Sequence, residues 1–352
     1  MKHIVIADLK SNNNYGICTG HYYALAENYR NVFSDITTVK IAGGPIYKNK
    51  FKIDDLELLP FDYIAGDSRI KNCWRMIRNA ACLFSKVNTD DIVIIQDSQP
   101  YMILIALLFT YRNTSNLFQI HYSDEPIKRP LYACLYMFFK RNVKGNLCPN
   151  DRIGRAYGVP YCAIPDYLYS SIGNKSSWGF QEKKYDFCLI GRISEDKGVA
   201  EAVKTLSNKQ CSVLVAGQVQ VQEEGLEILK SASRNGNIKT VLKYLSDEEY
   251  ALCLQKSRYC VLNYNGSYAD RSSGVALDTI FRDVPVVGKR CSALQFIEDF
   301  HIGYLYDDIE QLNVANLLSE EIYRGYVDSI GVYKERHISY KSKLCEFWGL
   351  DD

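Results

Sequence analysis

Residues 185–198 read Tyr-Asp-Phe-Cys-Leu-Ile-Gly-Arg-Ile-Ser-Glu-Asp-Lys-Gly. The mostly apolar segment 185–190 is typical of a buried strand, and residues 199–205 after it have the spacing of a helix. Residues 212–216 repeat the strand pattern and also end in a glycine, Gly217. Strand, helix and strand in this order predict a βαβ unit, because parallel neighbouring strands need a crossover connection.

The same alternation of strand and helix patterns fills the rest of the chain. Strand-like segments followed by helical spacing occur at residues 3–7, 38–41, 91–95 and 117–121. Further strand patterns at 259–262 and 285–287 enclose a helical pattern at 274–281. We therefore predict an α/β chain of two doubly wound, Rossmann-like domains, residues 1–165 and 185–330, with a Ser-, Gly- and Asn-containing linker over 166–184.

The composition argues against several classes of protein. The 352 residues carry a formal net charge of +1 and are 47% hydrophobic, unlike a nucleic-acid binder or a disordered chain. The twelve cysteines form no C-x-x-C pair and lie mostly in apolar stretches, so we expect reduced thiols and a cytoplasmic location. The chain opens directly on a strand pattern, so we expect no targeting segment. The longest apolar runs, 101–111 and 131–139, are shorter than a membrane-spanning helix.

Ligands of doubly wound sheets bind where the carboxyl ends of strands meet helix N-termini, so the loops at these ends are the candidate sites. The loop at 12–21 contains Gly16 and Gly20, which allow the backbone to approach a phosphate or sugar closely. The alternative is a flexible loop before a capped helix. No strand ends in G-x-G-x-x-G, which disfavours a nicotinamide dehydrogenase.

The loop at 191–198 carries two cations beside glycines. Arg192 offers a planar fork of donors and Lys197 a mobile point charge, and together they can hold two phosphates. The alternative is a solvated turn in which the neighbouring acidic residues, Glu195 and Asp196, pair with these cations.

The loop at 269–275 leads into the helical pattern of 274–281. Small residues at a helix start leave backbone N–H groups free to bind an anion. Asp270 and Asp278 could each accept hydrogen bonds from sugar hydroxyls. The alternatives are a helix cap for Asp270 and a solvated helix face for Asp278.

These segments resemble a known group of enzymes. Residues 191–198 resemble the G-R-(L/I)-x-x-x-K-G signature of GT-B fold glycosyltransferases, notably family 4. Residues 270–287 are similar to that family's E-x7-E block followed by G-x-P-V-V. Weaker similarities at 164–166, 213–217, 244–249 and 296–303 extend the resemblance over nearly the whole chain. It implies two domains facing across a cleft, with a C-terminal helix over 331–352 that crosses back to the N-terminal domain.

The resemblance implies roles residue by residue. Arg192 and Lys197 match the cations that hold the donor diphosphate. Asp278 matches the glutamate that binds the ribose, and Asp270 the glutamate that contacts the donor sugar. The other implied donor-site residues are Gly16 on the glycine loop, His121 facing the donor sugar, and Ser272, Ser273, Gly274 and Val275 at the helix start. For His121, a purely structural histidine is the alternative.

The sequence also departs from the family pattern. Both glutamates are replaced by aspartate, which is one methylene shorter. The fragment at 272–275 also resembles relatives that lack the first glutamate, in which case Asp270 is only a loop residue. The family's usual glycine before P-V-V is Asp283 here.

The resemblance implies a retaining, metal-independent hexosyltransferase without a cofactor, in which fixed cations and helix amides stabilise the nucleoside diphosphate that leaves. The donor is a UDP- or GDP-linked sugar, and the sequence contains no D-x-D metal signature. His121 contributes through its carbonyl or its imidazole. The rivals are a catalytically silent GT-B partner protein, a nucleotide-sugar epimerase and a phosphorylase-like protein.

We expect the basic N-terminal half to bind the acceptor. Residues 1–165 hold 20 Lys and Arg against 14 Asp and Glu, whereas the remainder holds 22 against 27. Lys71, Arg75 and Arg78 are three to four residues apart and share one helical face, with Trp74 and Ile77 near its opposite edge. This pattern suits an interfacial helix that meets anionic lipid. A second candidate is the apolar run 131–139, flanked by paired cations. The alternatives are an ordinary surface helix and a core helix. The membrane interpretation implies a lipid-linked saccharide acceptor in bacterial O-antigen or capsule synthesis.

Overall fold

The computed structural model describes residues 2–14, 16–18, 22–52, 56–96, 116–165, 168, 179–266, 269 and 273–350. The chain forms two compact units. Met1–Ser170 and Ile338–Asp352 make up the N-terminal unit, and Ser171–His337 makes up the C-terminal unit.

A parallel sheet of seven strands forms the centre of the N-terminal unit. Its strands are β1 (Ile4–Asp8), β4 (Val39–Gly43), β5 (Leu56–Leu58), β7 (Ile92–Gln96), β8 (Leu117–Ile120), β9 (Gly145–Cys148) and β10 (Tyr161–Ala163). They are arranged in the order β10-β9-β8-β7-β1-β4-β5. The shorter β2 (Asn12–Asn14), β3 (Ile17–Cys18) and β6 (Tyr63–Ile64) form a separate small sheet. Buried runs such as Ile-Val-Ile in both β1 and β7 fit a sheet that is covered on both faces.

The described helices of the N-terminal unit cover its sheet. They are α1 (Tyr22–Phe33), α2 (Arg69–Lys86), α3 (Pro130–Phe139), α4 (Asp151–Ala156) and the end of α11 (Glu320–Trp348). One core contains Ile6, Phe33, Leu344 and Trp348, so the end of α11 is part of this unit's interior. The other face of the sheet packs against residues of α2 and α3.

The C-terminal unit contains a parallel sheet of six strands. These are β11 (Tyr185–Ile190), β12 (Val213–Ala216), β13 (Ile238–Val241), β14 (Ser257–Leu262), β15 (Val286–Lys289) and β16 (Gly303–Tyr306), in the order β13-β12-β11-β14-β15-β16. Its helices are α5 (Val199–Ser207), α6 (Gln222–Asn235), α7 (Asp247–Gln255), α8 (Gly274–Phe281), α9 (Gln295–Asp299), α10 (Val314–Leu317) and the first part of α11. Two apolar cores cover the two faces of the sheet. Of the helices that the structure describes, none is both long and apolar enough to cross a bilayer.

Asp283 stands in the turn between α8 and β15, where the resemblance leads one to expect glycine. Its φ of 56° lies in the left-handed region, which aspartate tolerates better than most residues do. Lys334 of α11 donates a hydrogen bond to Asp283 Oδ1 at 2.8 Å, and both side chains are buried. The departure from glycine is thus accompanied by a buried ion pair.

The predicted α/β fold class of two Rossmann-like domains is confirmed. The strand at 185–190 and the helix at 274–281 agree with the prediction to the residue. The sequence patterns did not predict the short strands β2, β3, β5 and β6, nor β9, β10, β13 and β16. The C-terminal helix begins at Glu320 rather than at 331. Most of the predicted linker, residues 166–184, lies outside the described residues.

Candidate functional site

The carboxyl ends of β11 and β12 meet closely in the C-terminal unit. Gly191 follows β11 and Gly217 follows β12, and the Gly191 N–H donates to the Ala216 carbonyl at 3.0 Å. A Cβ atom on Gly217 would overlap the Gly191 carbonyl oxygen, so this position requires glycine. The glycines that end both strands therefore allow the two loops to lie side by side.

Lys197 lies at this edge with its side chain inside the protein. The residue is 8% exposed, and burial lowers its pKa to about 8, with the nearby Arg192 lowering the pKa further and Asp196 opposing. A Cβ atom built on Gly191 would lie 3.7 Å from both Lys197 Nζ and Val275 Cγ2. The structure thus brings the ammonium group together with the loop after β11 and the start of α8.

Arg192 is the exposed cation of the same loop. Its side chain is half-exposed and makes an ion pair of 3.4 Å with Asp196. Ser194 also donates a hydrogen bond to the Asp196 carboxylate. The alternative interpretation of this loop, a solvated turn with local ion pairs, therefore holds in part, because Asp196 does pair with Arg192. An exposed pair of this kind contributes little to stability, so an anionic ligand can compete for the guanidinium.

Two asparagines that the sequence analysis missed hold this loop against the end of β14. Asn263 donates to the Gly198 carbonyl at 3.1 Å and to Glu201 Oε2 at 2.9 Å. The N–H of Asn265 donates to the Asp196 carbonyl at 2.9 Å. Gly198 has a φ of 58°, and a Cβ there would overlap the Asn263 carbonyl oxygen. Both asparagines follow a predicted strand, which is the signal that could have identified them.

The start of α8 supplies backbone donors to the site. Ser273 caps the helix by accepting a hydrogen bond of 3.1 Å from Ala276 N–H, and its hydroxyl lies 2.6 Å from the Tyr264 hydroxyl. The N–H groups of Gly274 and Val275 belong to the first helical turn, which has no intrahelical acceptors. Two further predicted site residues of this loop, Asp270 and Ser272, lie outside the described residues.

Asp278 lies on α8, one turn beyond the helix start. The residue is partly exposed, and burial raises the pKa of its carboxyl to about 6, against the opposing charge of Arg282. Arg282 Nη1 lies 3.8 Å from the Asp278 carboxylate and donates a hydrogen bond of 3.1 Å to the Asp278 backbone carbonyl. Among the described contacts, the carboxylate is therefore only weakly paired, and it can still accept a hydrogen bond from a hydroxyl group.

Gly16 belongs to the N-terminal unit and forms the turn between β2 and β3. Its φ is 85°, and its N–H donates to Asn13 Oδ1 at 2.8 Å. The predicted flexible loop contains this hairpin, in which an exposed glycine takes the conformation that other residues avoid. The second predicted glycine, Gly20, lies outside the described residues.

His121 follows β8 in the N-terminal unit. Its ring stacks on Tyr157 with centroids 3.7 Å apart, and burial lowers its pKa to about 3. The imidazole is therefore neutral at physiological pH and cannot supply a proton as a cation. Among the described residues, Nε2 has no hydrogen-bond partner. This arrangement combines the packing of a structural histidine with an unsatisfied ring nitrogen.

One of the three cations predicted on the exposed face of α2, Arg75, is buried instead. Arg75 is only 9% exposed, because it makes an ion pair of 2.6 Å with Asp67 and bonds to Asn72 Oδ1. Lys71, Trp74 and Arg78 are exposed, and the Arg78 guanidinium lies over the Trp74 ring at 5.7 Å. The helix consequently presents two cations beside Trp74 rather than three.

No family model and no curated protein matches the sequence. Solved structures do match. A UDP-forming trehalose-phosphate synthase from Burkholderia xenovorans, in complex with glucose-6-phosphate, superposes with a TM-score of 0.70 at 10% identity, covering 99% of this chain and 100% of that one. The chain has the GT-B fold.

Two other GT-B structures agree with this result. Anabaena Alr3699/HepE, in complex with UDP and glucose, gives a TM-score of 0.62 at 10% identity over 98% of this chain and 99% of that one. AviGT4, a glycosyltransferase involved in avilamycin A biosynthesis, gives 0.60 at 15% identity over 99% and 97%. The neighbours are nucleotide-sugar glycosyltransferases, and at these identities the likeness establishes the fold of this GT-B chain.

Proposed function

We propose that this protein transfers a hexosyl unit from a UDP- or GDP-linked sugar to a saccharide acceptor. The observation that carries the proposal is the cluster at the end of β11. There the buried Lys197 ammonium, the exposed Arg192 and the first turn of α8 lie around one strand end. A buried cation whose pKa is lowered by desolvation gains most from an anionic partner. A nucleoside diphosphate brings two charged phosphates to Lys197, Arg192 and the α8 amides.

In this proposal, the same groups act on the leaving group. Negative charge grows on the diphosphate as the bond to the sugar breaks, and preorganised cations and backbone N–H groups stabilise it. The two lysine and arginine charges and the α8 amides supply this stabilisation without a metal ion. Asp278 accepts hydrogen bonds from the ribose hydroxyls, and Asp270 and His121 contact the donor sugar. We propose retention of configuration, with the acceptor attacking on the face that the diphosphate leaves.

We further propose a lipid-linked saccharide as acceptor, bound by the basic N-terminal unit at the inner face of the plasma membrane. This proposal rests on the charge excess of residues 1–165 and the exposed Lys71, Trp74 and Arg78 of α2. The corresponding process is bacterial surface-polysaccharide synthesis, such as O-antigen or capsule.

The test is binding and slow hydrolysis of a panel of UDP- and GDP-sugars, each with and without a chelator. Arg192→Ala and Lys197→Ala should each weaken donor binding by roughly ten- to a hundredfold, the range for a lost charge-assisted hydrogen bond. Arg324→Ala is the matched control for Arg192, since Arg324 also pairs with an acid four residues away on an exposed surface. The anomer of the transferred sugar, read by NMR, tests retention.

Three other outcomes would change this proposal. If no donor binds the wild-type protein, the silent-partner interpretation replaces the transferase. If the bound sugar is isomerised without an acceptor, the protein is an epimerase. If both variants bind donor as the wild type does, the diphosphate site lies elsewhere.

A further inference from the structure

α3 exposes an apolar surface to solvent. Leu131, Met137 and Phe138 are 75%, 59% and 61% exposed, and Cys134 is exposed as well. At 100° per residue these four side chains fall on one side of the helix. The helix reads Pro-Leu-Tyr-Ala-Cys-Leu-Tyr-Met-Phe-Phe, with no charged residue to interrupt this side.

The opposite side of α3 is fixed to the N-terminal unit. Tyr136 and Phe139 are buried in the core under the sheet, and the Tyr136 hydroxyl lies 3.1 Å from Asn146 Nδ2 of β9. The helix is therefore held in one orientation, and its apolar outer side is a property of the folded unit. The alternative of a core helix, which the sequence allowed, is wrong for this side.

Cations stand at both ends of this surface. Arg129 precedes the helix and is exposed, and Arg141 follows it and is exposed as well. Among the described residues, neither has a carboxylate within ion-pair distance. The nearby acidic residues are already used, because Asp124 pairs with Arg152 at 2.7 Å and Glu125 pairs with Lys128 at 2.8 Å.

We propose that the outer side of α3 inserts into the surface of a bilayer containing anionic lipid, with Arg129 and Arg141 at the headgroups. An apolar strip rimmed by cations is complementary to such a surface. At 1.5 Å per residue, the ten-residue helix is roughly 15 Å long, so it lies in the interface and does not span it. A second copy of the chain fits less well, because a two-fold contact through this side would bring arginines against arginines whether the helices run parallel or antiparallel.

This inference rests on the proposed lipid-linked acceptor, since it says how the enzyme reaches that acceptor. The two remain separable. Donor binding in the C-terminal unit is measured without lipid, and vesicle binding is measured without donor.

The experiment is co-sedimentation of the full chain with vesicles of phosphatidylcholine, with and without phosphatidylglycerol. Leu131→Ser/Phe138→Ser should weaken binding to the anionic vesicles by roughly tenfold or more, because two exposed apolar side chains no longer insert. Arg129→Gln/Arg141→Gln should also weaken it and reduce its salt dependence. Leu226→Ser/Leu229→Ser on α6 is the control, since those leucines are also exposed apolar side chains of a helix, at 50% and 47%, and it should bind as the wild type does.

A second readout does not depend on losing affinity. Compared with the wild type, which has three tryptophans of its own, the Phe138→Trp variant should gain emission that shifts to the blue on vesicles and is quenched by brominated acyl chains. Failure of the wild type to bind anionic vesicles, or equal loss in the α6 control, would overturn the proposal. So would a dimer in sedimentation velocity that the Leu131→Ser/Phe138→Ser variant dissociates. Donor binding that survives any of these failures shows that the transferase proposal stands by itself.

Discussion

Raising the pH from 7 to 9 should weaken donor binding by about tenfold, because Lys197 loses its proton across this range. Burial lowers the pKa of this ammonium to about 8. The free protein is then about 90% protonated at Lys197 at pH 7 and about 10% at pH 9. A bound diphosphate stabilises the protonated form, so the affinity follows the protonated fraction of the free protein. The diphosphate of a sugar nucleotide stays ionised throughout, so it adds no slope of its own.

The same titration acts on stability with the opposite sign. The pKa of Lys197 is lower in the folded state than the ordinary lysine value of 10.5, so the unfolded chain binds more protons between about pH 8 and 10.5. Folding stability without donor therefore rises with pH across this window, while donor affinity falls. A general loss of structure at high pH would lower both.

Isothermal titration calorimetry with a sugar nucleotide, in buffers of different ionisation heat, measures both the affinity and the proton taken up. Lys197→Met should bind weakly and remove the slope. Lys183→Met is the matched control, because burial also lowers the pKa of Lys183 to about 8 but its ammonium donates to the Gln255 carbonyl at 2.8 Å. An affinity that stays constant from pH 7 to 9 would refute the assignment of Lys197 to the donor diphosphate, as would a slope that persists in Lys197→Met.

Two further outcomes are expected in the C-terminal unit. Lys334→Met leaves Asp283 buried without its ammonium partner and should destabilise the protein by about 3–5 kcal/mol, whereas Asp283→Gly/Lys334→Met should recover most of this loss. Thermal unfolding of the wild type, the two single variants and the double variant measures the coupling energy between Asp283 and Lys334. Additive effects of the two substitutions would contradict this prediction. Asp278→Asn should lower affinity for a ribonucleotide by roughly tenfold and leave that for the 2′,3′-dideoxy counterpart nearly unchanged, since a charged acceptor binds hydroxyls more strongly than a neutral one. Equal losses with both nucleotides would place the ribose elsewhere.

The central strands could be predicted because a parallel sheet that is covered on both faces requires continuous apolar runs. β11 is such a run apart from Asp186 near its start, and the glycine and cations after it mark the edge at which ligands bind. β13 and β16 are edge strands with partly exposed residues, so their patterns resemble those of loops. β9 begins with Gly-Asn, which are poor strand formers, and its identity depends on pairing with β8.

The contacts that could not be predicted from the sequence are those between residues of different structural elements. Helical spacing places Arg75 beside Lys71 and Arg78, but the carboxylate that draws Arg75 inward is Asp67, which precedes the helix. The sequence shows that Asp283 stands where the family has glycine. It does not show that Lys334 on α11 pairs with this aspartate, because no local pattern links residues that are 51 positions apart.

The position of α11 determines when the N-terminal unit can be completed during synthesis. Leu344, Cys345 and Trp348 are buried in a core whose other buried members come from the first 170 residues, and Trp348 packs against Tyr29, Phe33 and Phe118. The ribosome therefore makes the whole C-terminal unit before it delivers the side chains that close the first one. Until then the nascent N-terminal unit exposes an apolar gap, and we expect it to depend on chaperones that shield such surfaces. A stop codon before residue 344 would damage the unit that is farthest from it in the sequence.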